Sequence, residues 1–454
     1  MQFNDFDQFC LYMESFANLE RKNSDYSPRE YRLDRMEELL KHLGNPEKSF
    51  KSIHVAGSKG KGSTAIFIAK GLTALGFKTG LYASPHLVDY RERFTLSGTF
   101  FSEEALIKSG NSLVEKLKGF TFSDNWGVSD PTAFELYTAY AYLLFKENNC
   151  SWAVIETGLG GRLDATNTLL SEASVITPIE LEHTAILGNT LPLIASEKGK
   201  IIKESSPVFI ANQDYRVREV LIDEARQKRS PLHLLEANVE VLTTRTTEAG
   251  EEVKISWRNG EETSLLLKMR GAAQGENSAL ALLLLKTLNL YQPGVSEAAL
   301  MEAYLPGRME SLSASPPLII DGAHTTASLR HLLNSFTQLY GEMGNTLIFG
   351  ALEGKDHIHM AHLLLPLFNN IVVSRPGTFK ESNSEKLFAL LKKEALKLKV
   401  TPKIYLKIEA DEALALAYSL TPTGGAILTT GSFYLCGDIT LAYRKRSLHE
   451  SKLA

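Results

Sequence analysis

The string VAGSKGKGSTA, residues 55–65, sets glycines, lysines and hydroxyls between an apolar run ending at Ala56 and a helix-period segment, KGSTAIFIAKGLTALG. Gly57, Gly60 and Gly62 allow the backbone to turn tightly around Ser58 with its N–H groups converging on one place, and a helix N-terminus adds a field that favours anionic oxygens. Lys61 then neutralises β/γ-phosphate charge, and Ser63 or Thr64 offers a hydroxyl to nucleotide or metal. A plain glycine-rich turn is the competing reading. Strand, glycines, lysine and hydroxyls in this order favour a phosphate grip.

Downstream, AVIETGLGGRLDATN places Glu156 at the carboxyl end of an apolar strand and follows it with Gly158, Gly160, Gly161, Arg162 and Asp164. Open α/β sheets put their sites at strand ends, and a carboxylate there can hold Mg²⁺ directly or through water. The GLGG element is not read as a dinucleotide site, because no helix pattern follows it. The next strand, in ASVITPIELEHTAILGNT, delivers Glu182 and His183 just past its end. A lone histidine is commonly a hydrogen-bonded surface residue. If the strands ending at Ala56, Glu156 and Thr177 are sheet neighbours, the loop, the carboxylate and the imidazole come together. Lys198, in TLPLIASEK, reads on residue physics alone as a solvated helical lysine.

These residues need elements to position them. From Lys51 to about Leu300 short β-branched runs alternate with helical-period segments, which predicts a mostly parallel sheet flanked by helices. Strands are predicted at 52–56, 79–83, 152–156, 173–177 and 207–211, and helices at KGSTAIFIAKGLTALG and TAFELYTAYAYLLFKEN, with two more around Phe6 to Asn18 and Tyr31 to Leu43. Alternation between Asn238 and Trp257, interrupted at Glu248-Ala249-Gly250, predicts a β-hairpin insertion. After Leu305-Pro306-Gly307-Arg308 a second α/β series begins, with strands at 317–321, 346–350, 370–374, 403–407 and 425–429. The fold class is therefore α/β: a P-loop-type, mostly parallel domain over residues 1–304, then a smaller Rossmann-like domain over 305–454.

The totals agree with two domains, since a chain of 454 residues exceeds the roughly 250 to 300 at which a single core stops growing. A net charge of -4 on mixed-sign surface argues against a nucleic-acid coat and for small-molecule partners. Cys10, Cys150 and Cys436 show no CxxC or Cys/His spacing. With an acidic start, MQFNDFDQFC, and no apolar stretch of membrane-spanning length, the chain is expected to be cytoplasmic, monomeric and without membrane or nucleic-acid partners.

The ordered motifs LDRMEELLKHLGNP, HVAGSKGKGST, SPHLVDYRERF, ETGLGGRLDATN, LEHTAILGNTL, EKGKIIK, PGRME, DGAH, GALEGKD and TGSFYL, from about residue 33 to 435, resemble the folylpolyglutamate synthase and dihydrofolate synthase branch of the Mur ligase family. The resemblance implies phosphoryl transfer from ATP to a substrate carboxylate, then attack by the amine of L-glutamate on the acyl phosphate, with pteroate or folate as acceptor. It implies Lys61 on the phosphates and Ser84, Glu156 and His183 on Mg²⁺. It also implies Lys198 as a second-metal ligand if carbamylated, Asn277, Arg308 and Asp321 toward ATP, and Asp321 and His324 in catalysis. Ser432, Tyr434 and His324 would face glutamate, while Arg91 or Arg93 would guide the acidic acceptor. Together these residues predict a cleft between domains that closes on ATP and glutamate.

The chain departs from the family pattern at Lys59, Glu182, Gly199-Lys200, Ala273, Thr325-Thr326 and Gly354. The rivals are a cell-wall muropeptide ligase of the same superfamily and a nucleotide-dependent switch protein. SPHLVDYRERF favours the folate branch, and Asp321, His324 and Arg308 speak for catalysis. The choice of acceptor, dihydropteroate or a reduced folate, is open at this level.

Overall fold

The structure, a computed structural model, describes residues 2–17, 33–123, 130–342, 344–377 and 381–453. It divides into two compact units: Met1–Thr243 with Val253–Leu265 and Gln274–Tyr304, and Thr244–Glu252 with Leu266–Ala273 and Leu305–Ala454.

The first unit is built on an eight-stranded sheet: β1 (Lys51–Ala56), β2 (Thr79–Tyr82), β3 (Phe94–Leu96), β4 (Thr99–Phe100), β5 (Trp152–Glu156), β6 (Ala173–Ile176), β7 (Val208–Ile210) and β8 (Leu232–Leu234). Their order is β4-β3-β2-β5-β1-β6-β7-β8. Six of these strands run parallel, and β3 and β4 return antiparallel at one edge. Strand β1 is buried from its second residue onward, as befits a central parallel strand covered on both faces. β5 and β6 flank it, with Val55 opposite Glu156 and Ala56 opposite Ile176, so three carboxyl ends lie side by side. The edge strand β4 and its neighbour β3 are too short to announce themselves in the sequence.

Helix Lys61–Ala74 buries ten of its residues, so its sequence is apolar nearly all round. Helix Ala133–Glu147 starts at a capping box: the Thr132 hydroxyl accepts the Glu135 N–H and the Glu135 carboxylate accepts the Thr132 N–H. It packs into an aromatic-rich core with helix Phe6–Glu14 and helix Leu33–His42. Asn18, Tyr31 and Arg32, the predicted outer ends of those two helices, lie outside the described residues.

The predicted hairpin is β9 (Val239–Thr247) and β10 (Gly250–Trp257), joined by an unpredicted β11 (Glu262–Leu267), whose residues alternate exposed and buried. The second unit's sheet comprises β12 (Glu310–Ala314), β13 (Pro317–Ile320), β14 (Thr346–Phe349), β15 (Asn370–Val373), β16 (Lys403–Leu406) and β17 (Ile427–Thr430), ordered β12-β13-β17-β14-β15-β16. All but β12 are parallel, and β17 inserts between β13 and β14. The segments after β13 and after β17 are thereby brought together, at the kind of crossover where open sheets bind ligands. Among the described residues, no helix is long and apolar enough to cross a membrane.

Candidate active site

The turn from β1 into helix Lys61–Ala74 is held by its neighbours. The Ser58 and Lys59 N–H groups donate to the Pro178 carbonyl at 2.9 and 3.1 Å, and the Ser58 hydroxyl donates to the Glu180 carbonyl. These amides brace the turn, so the converging N–H groups expected from the sequence begin later, at the helix's first turn. There Gly60, left-handed at φ +81°, occupies the N-cap with no side chain to satisfy the open donors. A Cβ on Gly60 would stand 2.3 Å from Asn277 Oδ1, and one on Gly57 would stand 1.9 Å from Thr177 Oγ1. Both positions therefore exclude any side chain on space as well as torsion. Gly62 differs from the sequence reading: it lies inside the helix and turns nothing. Thr64 and Asn277 are buried behind the loop, where the Thr64 hydroxyl donates to Asn277 Oδ1 at 3.3 Å and Asn277 Nδ2 donates to Gln274. In this arrangement both support the loop from within.

Lys61 projects its ammonium to 3.7 Å from Glu156 Oε1, across adjacent strands. Glu156 is 5% exposed, and its Oε2 accepts the Ser84 N–H at 3.3 Å from the end of β2. Past the end of β6, His183 adopts a left-handed backbone, φ 47° and ψ 38°, at the start of helix Thr184–Leu187. That conformation is uncommon for a residue with a Cβ, and such departures cluster at functional sites.

Lys198 is the clearest correction to the sequence reading. It is not a solvated surface lysine but 2% exposed, and its Nζ donates to the Gly57 carbonyl at 2.7 Å and to Glu182 Oε1 at 3.0 Å. Burial pushes the Lys198 ammonium down, while Glu182 pulls it back up. Burial likewise opposes charge on Glu182, but Lys198, Lys61 and Lys59 overcome it and hold that carboxyl well below the usual carboxylate range. Two departures from the family pattern, Lys59 and Glu182, thus act on one another. A carbamate on Lys198 would turn this donor into an acceptor, so the pairing seen here belongs to the ammonium form.

The loop after β5 is clamped by Asp164, a group the sequence flagged without a role. Its carboxylate accepts the Leu159 N–H at 2.7 Å, the Thr166 N–H at 3.0 Å and the Thr166 hydroxyl. Gly161 lies where a Cβ would come within 2.7 Å of the Glu197 carbonyl, so the loop seats directly on the helix carrying Lys198. The two arginines of SPHLVDYRERF are used differently from one another. Arg91 forks onto Asp89 and covers the Phe100 ring, with 39% of its side chain exposed. Arg93 is interior at 2% exposed, donating to His86 Nδ1 at 2.9 Å with its guanidinium over Tyr137, and so holds the loop's shape instead of facing solvent.

In the second unit, Asp321 follows β13 and donates its N–H to the Thr429 carbonyl of β17. Its carboxylate accepts the Met309 N–H at 2.9 Å and the Ala323 N–H at 2.8 Å. Met309 sits at φ 44°, so Asp321 holds a left-handed turn whose adjacent residue is Arg308. The Arg308 guanidinium lies 5.0 Å from the Phe433 ring centroid. His324 Nδ1 donates to the Gly322 carbonyl at 2.8 Å, since a carbonyl oxygen can only accept. Thr325 begins helix Thr326–Tyr340 as its N-cap, accepting the Ser328 N–H, a structural reason for a hydroxyl at this departure from the family pattern. Ser432 is 1% exposed and accepts the Tyr434 N–H, which makes it a cap for the last helix.

Mg²⁺ is commonly bound by one or two carboxylates plus substrate phosphates and waters. The first unit fits that pattern: a buried carboxylate at Glu156, Ser84 bonded to it through its N–H, and an open helix N-terminus beside Lys61. Among the described residues, no group of three or more His, Cys, Asp and Glu forms a ready-made cage.

The Mur ligase middle domain profile matches residues 55–285, and that of the Mur ligase glutamate ligase domain matches residues 307–433. The dihydrofolate synthase/folylpolyglutamate synthase of Bacillus subtilis (strain 168) is 30% identical over 416 residues, which covers 90% of this chain and 94% of that protein. The folylpolyglutamate synthase of Lacticaseibacillus casei is 29% identical over 446 residues, covering 96% and 97%. The crystal structure of Mycobacterium tuberculosis folylpolyglutamate synthase complexed with ADP and AMPPCP matches with a TM-score of 0.85 at 26% identity, over 97% of this chain and 99% of that one. The chain belongs to the Mur ligase family, in its folylpolyglutamate synthase and dihydrofolate synthase branch.

Proposed function

We propose that this protein is an ATP-dependent ligase that joins L-glutamate to the carboxylate of a folate-type acceptor, dihydropteroate or a reduced folate. The observation that carries the reading is the meeting of Lys61, at the uncapped N-terminus of the helix after β1, with Glu156 at the carboxyl end of the adjacent parallel strand β5, 3.7 Å apart. Anionic oxygens are favoured at such a terminus, and a carboxylate beside it suits a phosphate-bound divalent cation.

The chemistry runs in two steps. An acceptor carboxylate oxygen attacks the γ-phosphorus of ATP and ADP leaves. The glutamate amine then attacks the acyl carbonyl, releasing phosphate and a proton as the amide forms. Catalysis of this kind is mostly positioning and charge stabilisation. In this reading Lys61 and the N–H groups of the first helical turn hold the phosphates, and Lys198 holds the Gly57 carbonyl in place. Glu156, Ser84 and His183 would hold Mg²⁺, which would supply charge neutralisation on the phosphates. Arg308 contacts the nucleotide, and His324 and Asp321 act in catalysis. Arg91, the more exposed of the two arginines, would guide an acidic acceptor if it released Asp89. The three cysteines are free and buried, which suits a reducing cytoplasm.

The test is ADP release with ATP, Mg²⁺ and L-glutamate, offering dihydropteroate and a reduced folate in turn. Release that requires both glutamate and a pterin acceptor is the expected result. NTP hydrolysis indifferent to glutamate would overturn the reading in favour of a switch protein, and a response to a muropeptide acceptor alone would overturn it in favour of a cell-wall ligase.

A further inference from the structure

We infer that Phe433 is a positioning residue for nucleotide binding: its ring face sets the Arg308 guanidinium, and the missing side chain of Gly322 is the space that allows it. This rests on the proposed nucleotide role of Arg308.

The backbone around Arg308 is pinned on both sides. The Gly307 N–H donates to Glu310 Oε2 at 2.8 Å, the Gly307 carbonyl accepts the Gly322 N–H at 3.1 Å, and the Met309 N–H is held by Asp321. The Arg308 side chain beyond that anchor is long and rotatable. Its Nη1 donates back to the Gly307 carbonyl at 3.2 Å, and its guanidinium carbon stands 5.0 Å from the centre of the Phe433 ring. A planar cation over an aromatic face keeps its edge N–H groups directed outward, available to an anionic or hydroxyl-bearing ligand. A Cβ on Gly322 would fall 2.2 Å from Phe433 Cδ2 and 3.3 Å from Arg308 Nη1. Gly322 has no left-handed backbone to justify its identity, so the constraint is the room needed by the ring. Phe433 itself begins the helix that follows β17, so the segment after β13 supplies the glycine, the turn before β12 the arginine, and the last helix the ring.

The experiment measures ADP affinity by calorimetry on the full chain, for wild type and for Arg308→Ala, Phe433→Leu, Phe433→Tyr and Gly322→Ala, with a thermal melt of each. Phe433→Leu keeps bulk and apolarity but removes the π face, and should weaken ADP about 3- to 10-fold. Phe433→Tyr should retain wild-type affinity to within about twofold, because its ring face is kept. In turnover, KM for ATP should rise in Phe433→Leu while kcat and KM for glutamate hold. Wild-type ADP affinity in Phe433→Leu, with Arg308→Ala impaired, would overturn the inference and leave the functional reading standing. So would parallel losses in melting temperature, kcat and glutamate KM, which mark a merely structural ring, or wild-type affinity in Arg308→Ala. Absence of ADP binding by wild type would overturn both. Gly322→Ala should follow Phe433→Leu if it folds, and the Phe433 variants decide the matter if it does not.

Discussion

At Lys198 the energetics are dominated by desolvation. An ammonium 2% exposed and a carboxylate 10% exposed on its side chain satisfy one another at 3.0 Å, and the same ammonium holds the Gly57 carbonyl. Removing one partner strands the other in a buried site. Lys198→Met should therefore cost about 3–5 kcal/mol of folding stability. Adding Glu182→Gln should recover at least half of that loss, because the stranded charge goes with it. Urea unfolding of the single and double variants measures both quantities. Equal midpoints for the two variants would show that Glu182 is not the charge being compensated. The meeting of Lys61 with Glu156 was legible in sequence because strand-end chemistry is local. The burial of Lys198 was not, since a lysine on a helix of mixed sequence carries no sign of what packs over it.

At the scale of elements, the segment between β5 and β6 shows how a loop with a single 3-10 turn, Ala165–Thr168, is held by side chains. Asp164 gathers the backbone at its start, and Lys203 grips its end, donating to the Asn167 carbonyl at 2.8 Å and to Asn167 Oδ1 at 2.7 Å. Burial, with the Lys228 charge adding, pulls the Lys203 ammonium from 10.5 down to about 8. Below that pH both folded and unfolded chains are charged and the burial cost is felt in full. Between about 8 and 10.5 the unfolded chain keeps a proton that the folded chain has released, so stability should rise with pH there. Lys203→Met should lose that slope while being less stable overall. Urea melts at about pH 7.5 and pH 9.5 for both proteins check it, and an equal slope in the variant would remove Lys203 as its source. The strand–glycine–helix grammar around Gly57 and Gly60 could be read directly, whereas β4 and β12 are edge strands, and β3 the short strand beside β4, whose pairing follows from their neighbours.

For the whole molecule, sequence order and compactness do not coincide. Thr244–Glu252 and Leu266–Ala273 belong with the second unit, although they lie well before Leu305. The Ala272 N–H donates to Ser335 on helix Thr326–Tyr340, and Gly271 lies against Met309. A fragment of residues 305–454 lacks those segments, so it should melt less cooperatively, and at a lower temperature, than one in which they are supplied through a short linker. Circular dichroism melts of the two fragments test this, and identical melts would show that the segments contribute nothing to the unit's stability.

The sequence by itself determined the reaction class and the two α/β series, because phosphate loops, strand periodicity and ordered motifs are properties of neighbouring residues. The tertiary structure alone decided that β5 and β6 both lie against β1, and that β17 enters between β13 and β14. It also decided that Thr64 and Asn277 stand behind the phosphate loop, that Lys198 is buried under it, and that Phe433 lies on Arg308. Each of these depends on contacts between residues far apart in the chain. Their energies come from desolvation and packing, which no local pattern of residues records.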